Sequence, residues 1–252
     1  MAPVNVIKPN SNKSGPKKAM VLAAGLGKRM RPLTNHVPKP LVEVNGQTLL
    51  DHCLDALEKS ETEEVVINVH YLADQIEEHV AKRESDLKVH FSDERDELLD
   101  SGGGIRKALP LLGSDPFYLL NADSFWIEGF QPNLARLADA WDDEKMDMFL
   151  LLSGMANAIG FASKGDFTMD PDGRLERRTE FRVAPFAYAG AGILHPRIFD
   201  NAPDGPFSLN QQFDEALEKQ RLFGLRLDGL WLHVGTPEAI HEAEDAISRS
   251  AA

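Results

Sequence analysis

One cysteine, Cys53, stands in 252 residues, so no intrachain disulfide can form and a reducing compartment is expected. No apolar run approaches the length of a membrane span, and residues 1–16, rich in Pro, Asn, Ser and Lys, lack the apolar core of a signal peptide. They read as a disordered tail (1–16) ahead of a single domain (17–252), in a cytoplasmic protein with no membrane partner. No internal repeat or interdomain linker is visible. No acidic residue precedes Glu43, although eight basic ones do, and the remainder of the chain carries 19 basic against 40 acidic residues. A formal charge of −13 lacks the broad positive surface that a nucleic-acid backbone requires, which excludes that partner. The local cationic region suits a small anion instead.

Apolar runs alternate with segments of helical period through the first half. Strands are expected at 19–23, 64–69, 87–92 and 117–121, with helices near 48–59, 72–81 and 104–109. Leu50, Cys53, Leu54 and Leu57 share one helix face, so Cys53 reads as core and not as a nucleophile. This alternation implies an α/β fold, a mostly parallel Rossmann-like sheet covered by helices on both faces. Past Met148 the pattern changes. A strand at 149–153 precedes short strands about the turn "DPDG" (170–173), the signature of a small antiparallel insertion. Further strands read at 189–194 and 230–234, and Thr236-Pro237-Glu238 opens a last helix. Ligands of open parallel sheets bind at strand carboxyl ends, so the loops after residues 23, 99 and 121 are the candidate site.

The first of these loops is "LAAGLGKRMRPLTNHVPKP" (22–40). Gly25 and Gly27 let the main chain turn sharply and bring its N–H groups close to a ligand, beside Lys28 and Arg29. The spacing fits neither a P-loop, whose Lys-Ser/Thr ending is missing, nor G-x-G-x-x-G, whose third glycine is Met30. Lys39 lies between Pro38 and Pro40, before a short strand at 41–44, so its amine is presented from a stiff segment. A stiff cation beside a glycine loop suits a triphosphate.

These residues resemble the sugar-1-phosphate nucleotidyltransferases, whose signature L-A-A-G-x-G-x-R-x-x-P-L-T followed by P-K-P is matched by 22–34 and 38–40. The resemblance implies the nucleotide-diphospho-sugar transferase fold, with an acceptor-side insertion. It also implies a nucleoside triphosphate and a sugar 1-phosphate as partners, and magnesium, or manganese, as cofactor. On this basis the nucleotide is expected at Leu22, Ala23, Gly25, Gly27, Lys28, Arg29 and Asn121. "DSGGGI" (100–105) looks like the base-recognition loop in the form found in N-acetylmuramate 1-phosphate uridylyltransferases, which adds Ser101, Gly102 and Gly103. In "LLNADSF" (119–125) Asp123 takes the position of the family's metal-binding aspartate. In "WLHVGT" (231–236) the family's second aspartate is replaced by His233, a softer ligand better suited to manganese or zinc. "GDF" (165–167) looks like part of the acceptor region, so Gly165 and Asp166 are candidates for sugar contact.

The implied reaction needs no protein nucleophile, only placement and charge, because phosphoryl-type transfer is accelerated mainly by these. Arg29, Lys39 and Asp123 are the expected catalytic residues. The triple glycine favours UTP with N-acetylmuramate 1-phosphate, in cell-wall sugar recycling. Guanylyl transfer to mannose or heptose 1-phosphate, or a non-catalytic nucleotide-sugar-binding protein, are the alternatives. The lack of a β-helix extension beyond residue 250 leads one to expect neither a bifunctional acetyltransferase nor a long pyrophosphorylase. Oligomeric state is not legible.

Overall fold

A segment that is apolar at every position needs cover on both faces, and the central strands receive it. A computed structural model describes residues 14–250 of the chain. Its first half holds β1 (Lys18–Leu22), the hairpin of β2 (Glu43–Val44) and β3 (Gln47–Thr48), α1 (Leu49–Lys59), β4 (Glu64–Val69) and α2 (Ala73–Ala81). β5 (Lys88–Asp93), α3 (Asp100–Leu112), β6 (Phe117–Asn121), β7 (Ser124–Glu128) and α4 (Asn133–Ala140) follow. The second half holds β8 (Met148–Gly154), β9 (Ala158–Ile159), β10 (Phe167–Met169), β11 (Leu175–Arg177) and β12 (Phe186–Leu194). It ends with α5 (Asn210–Glu218), β13 (Leu222–Arg226), β14 (Gly229–His233) and α6 (Pro237–Ser250).

Strands β5, β4, β1 and β6 pair in parallel in that order, which places the ends of all four, at Asp93, Val69, Leu22 and Asn121, along one edge. β12 runs antiparallel beside β6, and β8 and β13 extend the sheet beyond it. The β10–β11 hairpin hangs from the start of β12 through Phe167 and Phe186. The expected α/β architecture, mostly parallel with a small antiparallel insertion, is therefore present. Alternation sorts the side chains of each strand. Ala19 and Val21 of β1 join Tyr118 and Leu120 of β6 on the face covered by α1 and α4, while Met20 joins Phe117 and Leu119 on the face covered by α3 and α5. On α1, Leu50, Cys53, Leu54 and Leu57 are all buried, as their spacing requires. Each of those leucines contributes about 1.5–3 kcal/mol by leaving water. Burial pushes the Cys53 thiol up to about 12, so it stays protonated and inert.

Three features depart from the expected pattern. The strand expected at 41–44 is shorter, because a 3₁₀ turn spans Lys39–Leu41 before β2 begins. β7, β14 and β9 form a second sheet that sequence alternation did not reveal. The third departure concerns the glycine run, expected to precede a helix near 104–109. α3 instead starts at Asp100 and takes all three glycines into its opening turns. Three glycines cost helix propensity, and packing explains their presence. A Cβ on Gly102 would lie 2.3 Å from the Phe207 ring, and one on Gly103 2.4 Å from the Gly205 carbonyl oxygen. The segment before α5 thus lies directly on the helix backbone. Of the tail expected over 1–16, residues 1–13 fall outside the described residues, and Gly15 is packed against Tyr118 and Ala138.

Gly103→Ala should lower stability by about 1–3 kcal/mol in urea unfolding, because backbone has to shift to admit the methyl group. Gly154→Ala is the control. Its φ is −65° and no atom lies within 4 Å of the added Cβ, so stability should hold or rise slightly.

Candidate active site

Two turns shape the glycine stretch. Gly27 has φ +59°, and a Cβ there would stand 3.0 Å from Thr34 and 3.1 Å from Lys39, so both the backbone conformation and the space demand glycine. Its carbonyl accepts from the buried Thr34 hydroxyl at 2.8 Å and from the Met30 N–H at 2.9 Å. Gly25 differs, since a Cβ there would meet nothing within 4 Å and its φ is unexceptional. No acceptor among the described residues takes the main-chain N–H groups from Ala24 to Arg29. The loop therefore presents a row of unpaired donors beside the exposed Lys28 and Arg29, which form no ion pair among the described residues. Such a surface attracts anions.

The loop lines a cleft of about 630 Å³ at the carboxyl edge of the parallel strands. Leu22, Ala23, Gly25, Gly27, Lys28, Arg29, Lys39, Ser101, Asn121 and Asp123, far apart in sequence, all face this one space. At its floor the Lys39 ammonium donates to a carboxylate oxygen of Asp123 at 2.8 Å, with the two side chains only 12% and 28% exposed. Lys39 reaches it from the 3₁₀ turn that Pro38 and Pro40 stiffen. Asp123 sits between β6 and β7. Its carbonyl accepts from the Val234 N–H at 2.8 Å, and the Ala122 N–H is tied to the Leu22 carbonyl.

His233 arrives through strand register. β14 pairs antiparallel with β7 so that His233 faces Ser124, one residue past Asp123, and the imidazole Nδ1 comes to 4.0 Å from the other Asp123 oxygen. Burial pushes the Asp123 carboxyl up, but Lys39, His233 and Arg29 together outweigh this and hold it below the usual range. Burial, aided by Lys39 and Arg29, pushes the His233 imidazole down against the pull of Asp123, so the ring is neutral near pH 7. Gly235 completes the corner. A Cβ on it would lie 2.8 Å from the His233 ring and 3.4 Å from the Arg29 guanidinium.

Four expected residues are placed differently. The N–H groups of Gly102 and Gly103 donate to the Phe207 carbonyl at 2.9 and 3.1 Å, so they are not free to read a base, and neither glycine lines the cleft. Gly165 and Asp166 also stand apart from that lining. The Asp166 carboxylate accepts from the Tyr188 N–H, joining the insertion to β12, and the Gly165 carbonyl accepts from the Arg178 guanidinium within the insertion. Ser101 lines the cleft but also uses its hydroxyl to accept from the Leu209 N–H. Sequence reasoning missed Asn68 and Gly235, which both line the cleft. A polar residue near the end of an apolar strand was the available signal for Asn68, and the "VGT" segment carried the one for Gly235.

The nucleotidyl transferase family model matches residues 18–250. N-acetylmuramate alpha-1-phosphate uridylyltransferase of Caulobacter vibrioides is 44% identical over 238 residues, spanning 93% of this chain and 98% of the relative. The protein of the same description from Neisseria meningitidis serogroup B is 32% identical over 229 residues, spanning 90% and 96%. Among solved structures, HddC from Yersinia pseudotuberculosis complexed with GMP-PN aligns with a TM-score of 0.73 at 22% identity, covering 92% of this chain and 99% of that one.

Gly25 and Gly27 should respond differently to alanine. Gly27→Ala is expected to cost about 1–2 kcal/mol in chemical unfolding, from left-handed backbone and crowding against Thr34. Gly25→Ala should change stability by no more than about 0.5 kcal/mol, which would leave the cleft as the reason for that glycine.

Proposed function

A chain matched over residues 18–250 by that model belongs to the nucleotidyl transferase family, and from that premise we propose that it transfers the uridylyl group of UTP to N-acetylmuramate α-1-phosphate, releasing pyrophosphate. The single observation that carries the reading is the meeting, in one cleft, of an unpaired row of N–H donors, Lys28, Arg29 and the Lys39–Asp123 pair. The 44% identity over nearly the full length of a relative bearing that description supports the choice of base and sugar.

A phosphate oxygen of the sugar phosphate attacks the α-phosphorus in line. A new P–O bond forms, the bridge between α- and β-phosphorus breaks, and its electron pair leaves with pyrophosphate. The attacking oxygen is already anionic, so no general base is called for. The protein has to hold two negative reactants together and stabilise charge as it moves to the leaving group. Arg29 and Lys28, with the N–H groups from Ala24 to Arg29, hold the β- and γ-phosphates. Lys39 serves the α-phosphate and the incoming phosphate, and Asp123 keeps its ammonium aimed between them. Leu22, Ala23, Ser101 and Asn121 line the nucleoside half.

Asp123 offers a carboxylate and His233 a neutral imidazole, and among the described residues no group of three or more His, Cys, Asp or Glu side chains is placed to hold a metal ion. So sparse a set fits an ion that takes its other ligands from phosphates and water, which describes magnesium, with manganese better matched to the imidazole. Bound there by Asp123 and His233, the ion would neutralise phosphate charge.

Pyrophosphate release should be measured across UTP, GTP, CTP and dTTP against N-acetylmuramate, N-acetylglucosamine, glucose and mannose 1-phosphates, with magnesium and with manganese. Release confined to UTP with N-acetylmuramate 1-phosphate is the expected result. Release in another cell of the matrix would overturn the substrate choice, and none in any cell would overturn the activity. Lys39→Ala should fold and lose about 10²–10³ in kcat. A folded variant with full turnover would remove Lys39 from the mechanism.

A further inference from the structure

Behind the cleft lies a carboxylate that no step above uses. Glu94 is fully buried just past the end of β5. One of its carboxylate oxygens accepts from the Asn68 side-chain amide at 2.7 Å, and the other from the Leu99 N–H at 3.0 Å. The Asn68 carbonyl oxygen in turn accepts from the Ala23 N–H at 2.7 Å. The Glu94 main chain is held as well, its N–H donating to Val69 and its carbonyl lying 2.7 Å from the His70 ring nitrogen. Gly104 closes the arrangement from α3, since a Cβ there would lie 2.7 Å from the Glu94 carboxylate and 2.8 Å from the Asn68 amide.

One side-chain pair therefore joins the end of β4 to the loops that follow β1 and β5. Ala23, Asn68, Leu98 and Asp100, which border these contacts, all line the cleft. We infer that Glu94 and Asn68 are positioning residues that set the nucleotide-facing edge of the cleft by fixing Ala23, Leu99 and the start of α3 in one geometry. The inference rests on the nucleotide binding proposed above. A buried hydrogen-bonded pair is costly to leave half made, so the end of β4 and these two loops share a single stable arrangement. The donors and acceptors also form a directional chain, from Ala23 to Asn68 to Glu94, with Leu99 closing it, and this makes a decisive test available.

Glu94→Gln puts an amide where both neighbours are donors. Asn68→Asp sets two carboxylates against each other. The double variant Asn68→Asp/Glu94→Gln restores every match. Asp at 68 accepts from Ala23 and from the new amide, while Gln at 94 donates to 68 and accepts from Leu99. UTP affinity would be measured by titration calorimetry with magnesium on the full chain, alongside KM for each substrate and the thermal midpoint. Each single variant should bind UTP at least about tenfold more weakly, with KM for the sugar phosphate within about threefold, and the double variant should recover most of the loss. The rescue arm decides even if a single variant fails to fold. Single variants that are less stable yet bind UTP with full affinity when folded would overturn the inference, as would a double variant no better than the worse single. Failure of the unmodified chain to bind any of the four triphosphates would overturn the proposed function and this inference together, a result distinct from the other two.

Discussion

The contact between the Lys39 ammonium and the Asp123 carboxylate organises the site, because each charge would be costly in that half-buried place without the other. Lys39 comes from a proline-stiffened 3₁₀ turn ahead of the first helix, and Asp123 from the loop leaving the central strand β6. Their meeting requires the glycine loop to fold back over the strand ends, which the left-handed Gly27 permits and Thr34 secures. A cation held by a carboxylate stays fixed in direction, and so suits chemistry that depends on placement more than on a nucleophile.

The second constraint is the parallel arrangement of β5, β4, β1 and β6, which delivers several loops to one edge. Loops are the weakest part of such a scaffold, and here they are tied to one another. Asn68, near the end of β4, and Glu94 join the loops after β1 and β5, while the Val234 N–H and the β7–β14 register join Asp123 to His233. Glycines appear where these ties are closest. Gly104 leaves room for the buried pair, Gly235 for His233 and Arg29, and Gly102 and Gly103 for the segment that reaches α5.

Much of the fold was legible in the chain because both faces of the central sheet are covered. Segments such as "AMVL" (19–22) and "FYLL" (117–120) run apolar without interruption, and the helix of Leu50, Cys53, Leu54 and Leu57 keeps its period. The second sheet escaped notice because β9 is only two residues long and β7 mixes polar with aromatic side chains. The three glycines of α3 were misread for a related reason. Glycine suggests a loop when only local propensity is considered, and here Gly102 and Gly103 admit a segment a hundred positions away while Gly104 makes room for Asn68 and Glu94.

By itself the sequence determined the α/β class, the buried and unreactive state of Cys53, and the cationic glycine loop with its stiff lysine, since each follows from local period, composition or backbone restriction. Only the tertiary structure decided which polar groups meet. The pairing of Lys39 with Asp123, the approach of His233, the occupied amides of Gly102 and Gly103, and the burial of Glu94 behind Asn68 all depend on strand order and register. Those are properties of long-range packing, and no local window of sequence contains them.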